Sequence, residues 1–546
     1  MEDLSYLSRP NPSQIRYKSI IDVLREKTDV DPEKEIFVER SAGGGRRSLT
    51  YAELMNRSTN IAKYLIAKGI RPEDSIAIIG PNSIEWIIGE FAIFMTGAIA
   101  VHFYETSESF SETLKILTST KSKAVLLDPE SDQNYLLDIE AYLINDISSQ
   151  DKPIVLLLRK STPSYLPSLA DVMLTADEEA VLLPRIKPDS IALIFTTSGS
   201  TGVPKMVEMD HVSFVNASYM ACLGSMSDRP IDNCYNDRPF AWMGGSPIFS
   251  ILNGNKRVFV DNTISIKKEN ILMIWNIIMV EHCSSAFFLP YAVLDILANI
   301  EAITSCGYKM YAICTGGQHI SRNLTQLCDK CTEKMFMIYG STEVGAICST
   351  QITPEMEEGN VGSLFPGYEV KIVNDKGETN NREMLGEILV RSSTMMQSYR
   401  DAPELNAASF ADGRWFRTGD IGTITKNGKL LVKGKSKDII KRGGLKVFTS
   451  VVEAAMSKLS DVREVIVIPV PDSRLYEEVC ACYILEENNH TTEIELDKKC
   501  RDFLGDNVLG STPSYYLRFN SFPRLNNGKA DKVLVKTQAL NRLNLM

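Results

Sequence analysis

Short apolar runs alternate with longer segments of helical periodicity through the first three quarters of the chain. Short apolar runs bounded by polar or turn residues are typical of strands buried on both faces. Four such runs are predicted to be strands: Ser75–Ile79, Ala124–Leu127, Ile154–Leu158 and Ile191–Thr196. Helices are predicted at Leu49–Lys68 and Ile84–Met95. This alternation predicts an α/β fold with mostly parallel sheets flanked by helices.

The pattern changes after about Arg414, where short polar segments with turn signals replace the long alternation. A helix near Ser450–Leu459, a strand at Val465–Val470 and a helix near Ile494–Leu504 predict a small α+β unit. A chain of 546 residues is too long for one hydrophobic core. We therefore expect a large N-terminal domain, residues 1–434, and a small C-terminal domain, residues 435–546.

Composition narrows the classes of partner. The formal net charge is -10, and an acidic protein repels nucleic-acid backbones, so no nucleic-acid partner is expected. The run Trp86–Tyr104 is interrupted by Glu90 and punctuated by Gly97, so it is predicted to be a buried helix and a strand rather than a transmembrane segment. No targeting segment is expected at the N-terminus.

The 11 cysteines and five histidines show no metal-site spacing. Cys328 and Cys331 form a C-x-x-C pair without a second pair, and we expect free thiols there. Reduced thiols favour a cytoplasmic location.

The sharpest chemical signal follows the predicted strand at Ile191–Thr196. A run of small hydroxyl residues and glycines follows the strand, and a Pro-Lys pair ends it. Such a loop offers backbone N–H groups, hydroxyl donors and one cation to a triphosphate. The alternative is a flexible Ser/Gly surface linker, and the order of residues is not that of a Walker A loop. The candidate ATP-binding residues are Thr197, Ser198, Gly199, Ser200, Thr201, Gly202 and Lys205.

This segment resembles the phosphate loop of the acyl-adenylate-forming, or AMP-binding, superfamily. That group includes acyl-CoA synthetases, 4-coumarate-CoA ligase-like enzymes, luciferases and the adenylation domains of peptide synthetases. The resemblance runs from Leu49 to Lys529. It implies a large ATP-binding domain with a β-barrel-like part, and a small C-terminal lid domain that is mobile.

Further motifs carry the same resemblance. In Tyr339-Gly340-Ser341-Thr342-Glu343 it implies that Tyr339 lies on adenine, that Thr342 bonds phosphate and that Glu343 holds Mg²⁺. Mg²⁺ neutralises the charge that gathers on phosphate oxygens. Gly316 and Gly317, with Gly340, are expected to border the nucleotide and the acyl group. An ordinary turn is the alternative for the Gly316–Gly317 segment.

Downstream motifs complete the expected site. Asp420 matches the carboxylate that accepts both ribose hydroxyls, since a carboxylate has two acceptor oxygens. Lys435 stands where the family usually has a ribose-binding Arg, and it lacks the bidentate fork. Lys437 falls at the hinge between the domains, and Lys441 falls in the loop used for thioester formation. Solvated surface lysines are the alternative for both.

The resemblance gives Lys529 the central catalytic role, because its ammonium would lie between the substrate carboxylate and the departing phosphate and reduce their repulsion. Trp242 stands at the position that gates the acyl pocket, with a core tryptophan as the alternative. Met206 and Val451 depart from the Gly and Glu that are common at their positions.

The resulting hypothesis is an ATP- and Mg²⁺-dependent acid–thiol ligase. It would form an acyl-adenylate from an apolar acid, transfer the acyl group to coenzyme A and release AMP and pyrophosphate. Coenzyme A is favoured because no carrier domain follows the last motif. A luciferase-like oxygenase and a non-catalytic nucleotide- or acyl-binding relative remain alternatives, and the sequence does not give the oligomeric state.

Overall fold

The protein folds into two αβ parts, a large N-terminal domain and a small C-terminal domain, as the sequence predicts. The computed structural model describes residues 3–103, 110–129, 152–160, 166–172, 176–197, 205–224, 232–265, 267–317, 324, 327–357, 359–442, 445–487, 489–504, 511–524 and 529–545.

A seven-stranded sheet carries the predicted phosphate loop. Strand Lys205–Asp210 pairs antiparallel with both of its neighbours, Ser398–Tyr399 and Ile191–Thr197. All other pairs in this sheet are parallel. All four predicted strands belong to this sheet. Its strands, in sheet order, are Ser398–Tyr399, Lys205–Asp210, Ile191–Thr197, Ile99–Phe103, Ser75–Ile79, Ala124–Leu127 and Ile154–Leu157.

A nine-stranded sheet carries the motifs that are predicted to border the adenine and the acyl group. Its central strands are parallel, and antiparallel hairpins close both edges. Its strands, in sheet order, are Ser363–Leu364, Gly345–Gln351, Thr332–Ser341, Met310–Gly316, Ser285–Phe287, Asn233–Tyr235, Lys256–Phe259, Glu35–Arg40 and Arg46–Thr50.

Two further sheets are mainly antiparallel. The six-stranded sheet contains Tyr6–Arg9, Tyr368–Val373, Gly386–Ser392, Phe410–Ala411, Trp415–Ile424 and Leu430–Lys435. The five-stranded sheet of the C-terminal domain contains Ile439–Arg442, Leu445–Phe448, Val462–Asp472, Tyr476–Leu485 and Tyr515–Arg518.

Helices cover these sheets. The α-helices are Ile20–Val30, Tyr51–Ala67, Ile84–Thr96, Phe110–Thr120, Ala176–Glu179, His211–Gly224, Ile248–Asn253, Asn262–Ser265, Ile271–Val280, Pro290–Ala298, Ile300–Ser305, Leu327–Lys330, Pro403–Ser409, Thr449–Ser457, Glu493–Leu504 and Lys532–Arg542. The 3₁₀ turns are Met243–Gly245, Lys268–Asn270 and Ser436–Asp438.

The apolar run of the sequence forms a helix and a strand inside the main core. Helix Ile84–Thr96 is buried along nearly its whole length and ends at Gly97, whose φ of 76° suits glycine. Strand Ile99–Phe103 follows. Glu90 is fully buried inside this helix, with its Oε1 3.0 Å from His102 Nε2, and burial raises the pKa of its carboxyl. None of the helices in the described ranges combines the length and the apolar composition that a membrane crossing requires.

One predicted helix begins two residues later than expected. Leu49 and Thr50 end a strand, and Thr50 caps the helix Tyr51–Ala67. The Thr50 hydroxyl accepts a bond from the Glu53 N–H, and the Glu53 carboxylate accepts one from the Thr50 N–H. This reciprocal pair satisfies donors that a helix start leaves without partners, and so fixes the boundary.

The small domain has its own apolar core. Residues of helices Thr449–Ser457 and Glu493–Leu504 pack against one face of the five-stranded sheet. The strand predicted at Val465–Val470 is longer, Val462–Asp472, because it pairs along its length with Tyr476–Leu485. The described cysteines are free thiols, and the described residues contain no cluster of three or more potential metal ligands. The side chain of Cys328 lies outside the described residues.

Candidate active site

An antiparallel hairpin frames the candidate phosphate loop. Strands Ile191–Thr197 and Lys205–Asp210 pair so that Thr197 lies opposite Lys205. The two strands therefore hold both ends of the loop close together. The residues between them that were predicted to bind ATP lie outside the described residues: Ser198, Gly199, Ser200, Thr201 and Gly202.

Tyr399 brings the loop lysine and the predicted magnesium ligand to one place. Its hydroxyl donates a 2.8 Å hydrogen bond to Glu343 Oε1. The Lys205 ammonium lies 5.2 Å from the centre of the same ring, within range of a cation–π interaction. Burial and, to a lesser extent, the Glu343 charge raise the pKa of Tyr399 well above its ordinary value. The Tyr399 hydroxyl therefore stays protonated and can donate this hydrogen bond.

The predicted adenine and ribose residues also meet. Tyr339 donates a 2.7 Å hydrogen bond to Asp420 Oδ2. The Lys435 ammonium lies 2.8 Å from Asp420 Oδ1 and donates to the Thr418 carbonyl at 3.2 Å. Strand pairing sets this geometry, because Asp420 and Lys435 are register partners. Asp420 is only 8% exposed, so its charge is held by these partners rather than by bulk water.

Glycines are required where two strands of the nine-stranded sheet approach each other. A Cβ on Gly340 would lie 2.1 Å from the Gly345 carbonyl oxygen, and one on Gly316 would lie 2.4 Å from the Ile338 carbonyl oxygen. Gly340 belongs to the hairpin whose turn carries Thr342 and Glu343. Gly317, with a φ of 85°, turns the chain out of its strand.

Lys529 reaches this region from the C-terminal domain. Its ammonium donates a 3.0 Å hydrogen bond to the Gly317 carbonyl oxygen. Burial lowers the pKa of Lys529, and the positive charges of Arg238 and Lys435 lower it further. Since like charges raise the cost of each other's ionisation, the three cations create a site that favours an anion.

Trp242 lines a cleft beside these groups. It precedes the turn Met243–Gly245, and its backbone N–H donates to the Pro239 carbonyl oxygen at 2.9 Å. The side chain is half-buried; it lines the cleft and also packs against the main apolar core, so its gating role stays a prediction. Arg238, Pro239 and Phe288 line the same cleft.

The remaining predicted residues belong to the small domain or to its junction. Lys437 lies in the turn Ser436–Asp438, and its side chain is outside the described residues. Lys441 is exposed, pairs with Lys446 and donates its backbone N–H to Glu477, so its described contacts are within the C-terminal sheet. Two residues that depart from the family pattern, Met206 and Val451, each pack against an apolar core cluster.

Two residues of this region were missed by sequence reasoning. Tyr399 contacts Glu343 across 56 positions of the chain, and no local pattern distinguishes it from other tyrosines. Arg238 precedes the segment that was predicted to line the acyl pocket. A charged residue directly before Pro239-Phe240-Ala241-Trp242 was the available signal, and it was not used.

Comparison with known families gives two matches. The profile described as "AMP-binding enzyme" matches residues 24–400. The profile described as "AMP-binding enzyme C-terminal domain" matches residues 451–529. Together they cover most of the chain. They include Lys205, Glu343 and Lys529, whereas Asp420 and Lys435 lie between the two matched ranges.

Two curated relatives align with nearly the whole chain. The mitochondrial medium-chain acyl-CoA ligase ACSF2 of Rattus norvegicus is 25% identical, with 99% of this chain and 91% of the relative covered. The long-chain-fatty-acid–CoA ligase FadD13 of Mycobacterium tuberculosis is 26% identical, with 95% of this chain and 98% of the relative covered.

A solved structure shares the fold. The amide bond synthetase McbA from Marinactinospora thermotolerans superposes with a TM-score of 0.80 at 24% identity, covering 95% of this chain and 99% of that one.

Proposed function

The chain belongs to the AMP-binding enzyme family and is similar to acyl-CoA synthetases, and on this premise we propose that it is an acid–CoA ligase. It would join a carboxylic acid to AMP, transfer the acyl group to coenzyme A and release AMP and pyrophosphate.

The observation that carries this proposal is the position of Lys529. Its ammonium is bonded to the Gly317 carbonyl oxygen and lies close enough to Lys435 for that charge to lower its pKa. Lys435 in turn pairs with Asp420, which also accepts the bond from Tyr339. A cation from the C-terminal domain therefore lies beside the proposed nucleotide residues of the N-terminal domain.

In the first half-reaction, a carboxylate oxygen of the acid attacks the α-phosphorus of ATP. The bond from that phosphorus to the pyrophosphate oxygen breaks, and pyrophosphate leaves with the electron pair. Two anions must approach each other for this step. We propose that Lys529 lies between them and lowers their repulsion, while Lys205 and the loop that it closes hold the leaving group.

Glu343 fits the role of a magnesium ligand. Its Oε1 accepts a bond from Tyr399, and a carboxylate keeps further acceptor sites on both oxygens. Nucleotide-bound Mg²⁺ is commonly held by one or two carboxylates together with phosphate oxygens. The ion would supply neutralisation of phosphate charge, and Tyr399 would orient the carboxylate.

In the second half-reaction, the thiolate of coenzyme A attacks the acyl carbon and the bond to AMP breaks. We propose that the C-terminal domain, residues 435–546, first rotates about Lys437. This rotation would withdraw Lys529 and bring Lys441 toward the cleft, a hinge movement of the kind that many enzymes use between steps.

The acyl group would occupy the cleft at Trp242. Pro239, Phe288 and Leu289 give it apolar walls, which supports a hydrocarbon or aryl body on the acid. Arg238 is the basic residue among the described lining residues.

The test is AMP and pyrophosphate release with ATP, coenzyme A and a panel of acids, comparing the wild-type chain with Lys529→Ala. We expect wild type to form AMP and thioester, and Lys529→Ala to slow adenylation by ~10²–10³-fold, as for loss of one transition-state donor. Lys532→Ala is the matched control, because Lys532 pairs with Glu453 in the small domain.

Other outcomes separate the alternatives. Light emission with a luciferin and no thioester would favour the oxygenase. No AMP from any acid, with nucleotide still bound, would favour a non-catalytic binding protein and reject the proposal.

A further inference from the structure

Arg238 is a half-buried cation with unused donors. Its Nε and Nη2 atoms are sealed from solvent and have no hydrogen-bond partner among the described residues. The guanidinium lies over the Phe287 ring at 3.7 Å from the ring centre. Stacking leaves the in-plane N–H groups without acceptors, and a buried donor without an acceptor is costly.

A neighbouring arginine shows what a structural guanidinium looks like in this fold. Arg257 is buried too, but its N–H groups donate to backbone carbonyls of Asn236, Gly245 and Ser246 at 2.6–3.2 Å. Its donors are thus used within the protein. Arg238 lacks such a set, so packing alone does not account for it.

The adjacent carboxyl is engaged elsewhere. Asp237 accepts a 2.7 Å hydrogen bond from the Tyr235 hydroxyl, and burial raises the pKa of Asp237. The structure gives no ion pair between Asp237 and Arg238. Burial lowers the pKa of Arg238 to about 9, although the Asp237 charge acts in the opposite direction, so Arg238 is protonated near neutrality.

Arg238 lies at a suitable distance from the reacting end of the site. Phe287, on which it stacks, is the register partner of Cys314. From Cys314 the strand runs to its end at Gly316, and Gly317, to which Lys529 is bonded, follows it. Three residues of strand span ~10 Å. An extended acid of a few carbons would therefore reach from Lys529 toward Arg238.

We propose that Arg238 binds a second carboxylate on the acid, so that the preferred substrates are short dicarboxylic acids activated at the other end. The proposal rests on the acid–CoA ligase function above. A guanidinium receives a carboxylate through two parallel N–H···O bonds, and Nε and Nη2 of Arg238 have no acceptor among the described residues. The walls at Trp242 and Phe288 would enclose the carbon chain between the two carboxylates.

The experiment compares matched acids in the full chain: succinate against butyrate and adipate against hexanoate. We expect wild type to prefer the diacid by at least about 10²-fold in kcat/KM, since a site built for a polar group discriminates strongly against its absence. Arg238→Met keeps an apolar contact with Phe287 and should abolish the preference. Arg238→Lys keeps the charge without the fork and should retain part of it.

Binding is measured independently of turnover. Succinate should raise the melting temperature of wild type and not that of Arg238→Met, because a ligand stabilises only the state that binds it. Exposed Arg185→Met is the matched control and should behave like wild type. If Arg238→Met does not fold, the Arg238→Lys variant and the wild-type acid panel still decide.

Three outcomes would overturn the inference. Wild type could use butyrate as well as succinate; Arg238→Met could lose both acids equally, which would assign Arg238 to the reacting carboxylate; or succinate could leave the wild-type melting temperature unchanged. Activity with monoacids alone rejects this inference and keeps the ligase function, whereas no AMP from any acid rejects the ligase function itself.

Discussion

At the scale of single residues, Asp420 shows how a departure from the family pattern is accommodated. Lys435 replaces the usual arginine, yet its single ammonium contacts both Asp420 Oδ1 and the Thr418 carbonyl oxygen. Tyr339 occupies a site on the other carboxylate oxygen. Each oxygen retains one acceptor site, so a ribose diol would share the carboxylate with these residues rather than displace them.

The lowered pKa of Lys529 predicts a pH effect on the first half-reaction. The ammonium is the active form, so kcat/KM for ATP should be highest below this pKa and should fall as pH rises through it, earlier than for an ordinary lysine. Arginine stays protonated over this range, so Lys529→Arg should remove the fall while lowering the maximum rate. Pyrophosphate exchange measured from neutral to alkaline pH tests this, and an identical alkaline limb in both proteins would assign the titration to another group.

Sequence reasoning identified residues that carry local motifs and missed those that act through long-range contacts. Asp420, Glu343 and Lys529 stand in recognisable motifs, and the structure bonds them to Tyr339, Tyr399 and Gly317, respectively. Tyr399 and Arg238 became visible only when strands distant in the chain were placed side by side. The loop Ser198–Gly202 and the Lys437 side chain stay predictions.

At the scale of elements, hairpins position the chemistry. The Thr332–Ser341 and Gly345–Gln351 strands shift register between Tyr339 and Gly340, and the turn between them carries Thr342 and Glu343. Close backbone approach at Gly340 is what allows this shift. The position of the carboxylate therefore depends on a residue that has no side chain.

Replacing Gly340 by alanine should disrupt this hairpin. The added Cβ would lie 2.1 Å from the Gly345 carbonyl oxygen, which is backbone and cannot rotate away. We expect a destabilisation of about 1–3 kcal/mol from overpacking and a fall of ~10²-fold in AMP formation from displaced groups. Urea denaturation and the AMP assay test both effects. Gly43→Ala is the control, since nothing lies within 4 Å of its Cβ, and equal effects of the two changes would contradict this explanation.

Apolar periodicity predicted where the helices and strands lie along the chain. Their exact ends depend on hydrogen bonds, which periodicity does not indicate. Strands Ser75–Ile79 and Ala124–Leu127 match their predicted bounds. The helix predicted from Leu49 begins at Tyr51 because Thr50 and Glu53 cap it reciprocally. The strand predicted at Val465–Val470 is extended by its partner, which apolar content did not indicate.

At the scale of the whole molecule, the two domains meet through Lys529 at Gly317 while Lys441 lies within the C-terminal sheet. Under the proposed mechanism, this is the arrangement that activates the acid. The fold class was predictable because alternating strands and helices admit few architectures. The domain boundary at residue 434 and the rotation remain proposals.

Restricting the proposed hinge should separate the two half-reactions. Lys437→Pro fixes one backbone angle, so it should leave pyrophosphate exchange near the wild-type rate and lower thioester formation by ~10-fold or more, because only the second step requires rotation. Lys437→Ala, which does not restrict the backbone, should retain both. Equal losses in both half-reactions for the proline variant would show damage to the fold rather than restricted rotation.

The order of strands in the sheets has a consequence for biosynthesis. The first strand, Tyr6–Arg9, pairs with Tyr368–Val373, and Glu35–Arg40 pairs with Lys256–Phe259. At ~5–20 residues per second, the first strand leaves the ribosome on the order of half a minute before its partner. Until then the nascent polypeptide has strand edges whose backbone N–H and C=O groups are unpaired and can pair with another chain. We therefore expect its yield in a cell to depend on chaperones that hold unfolded chains.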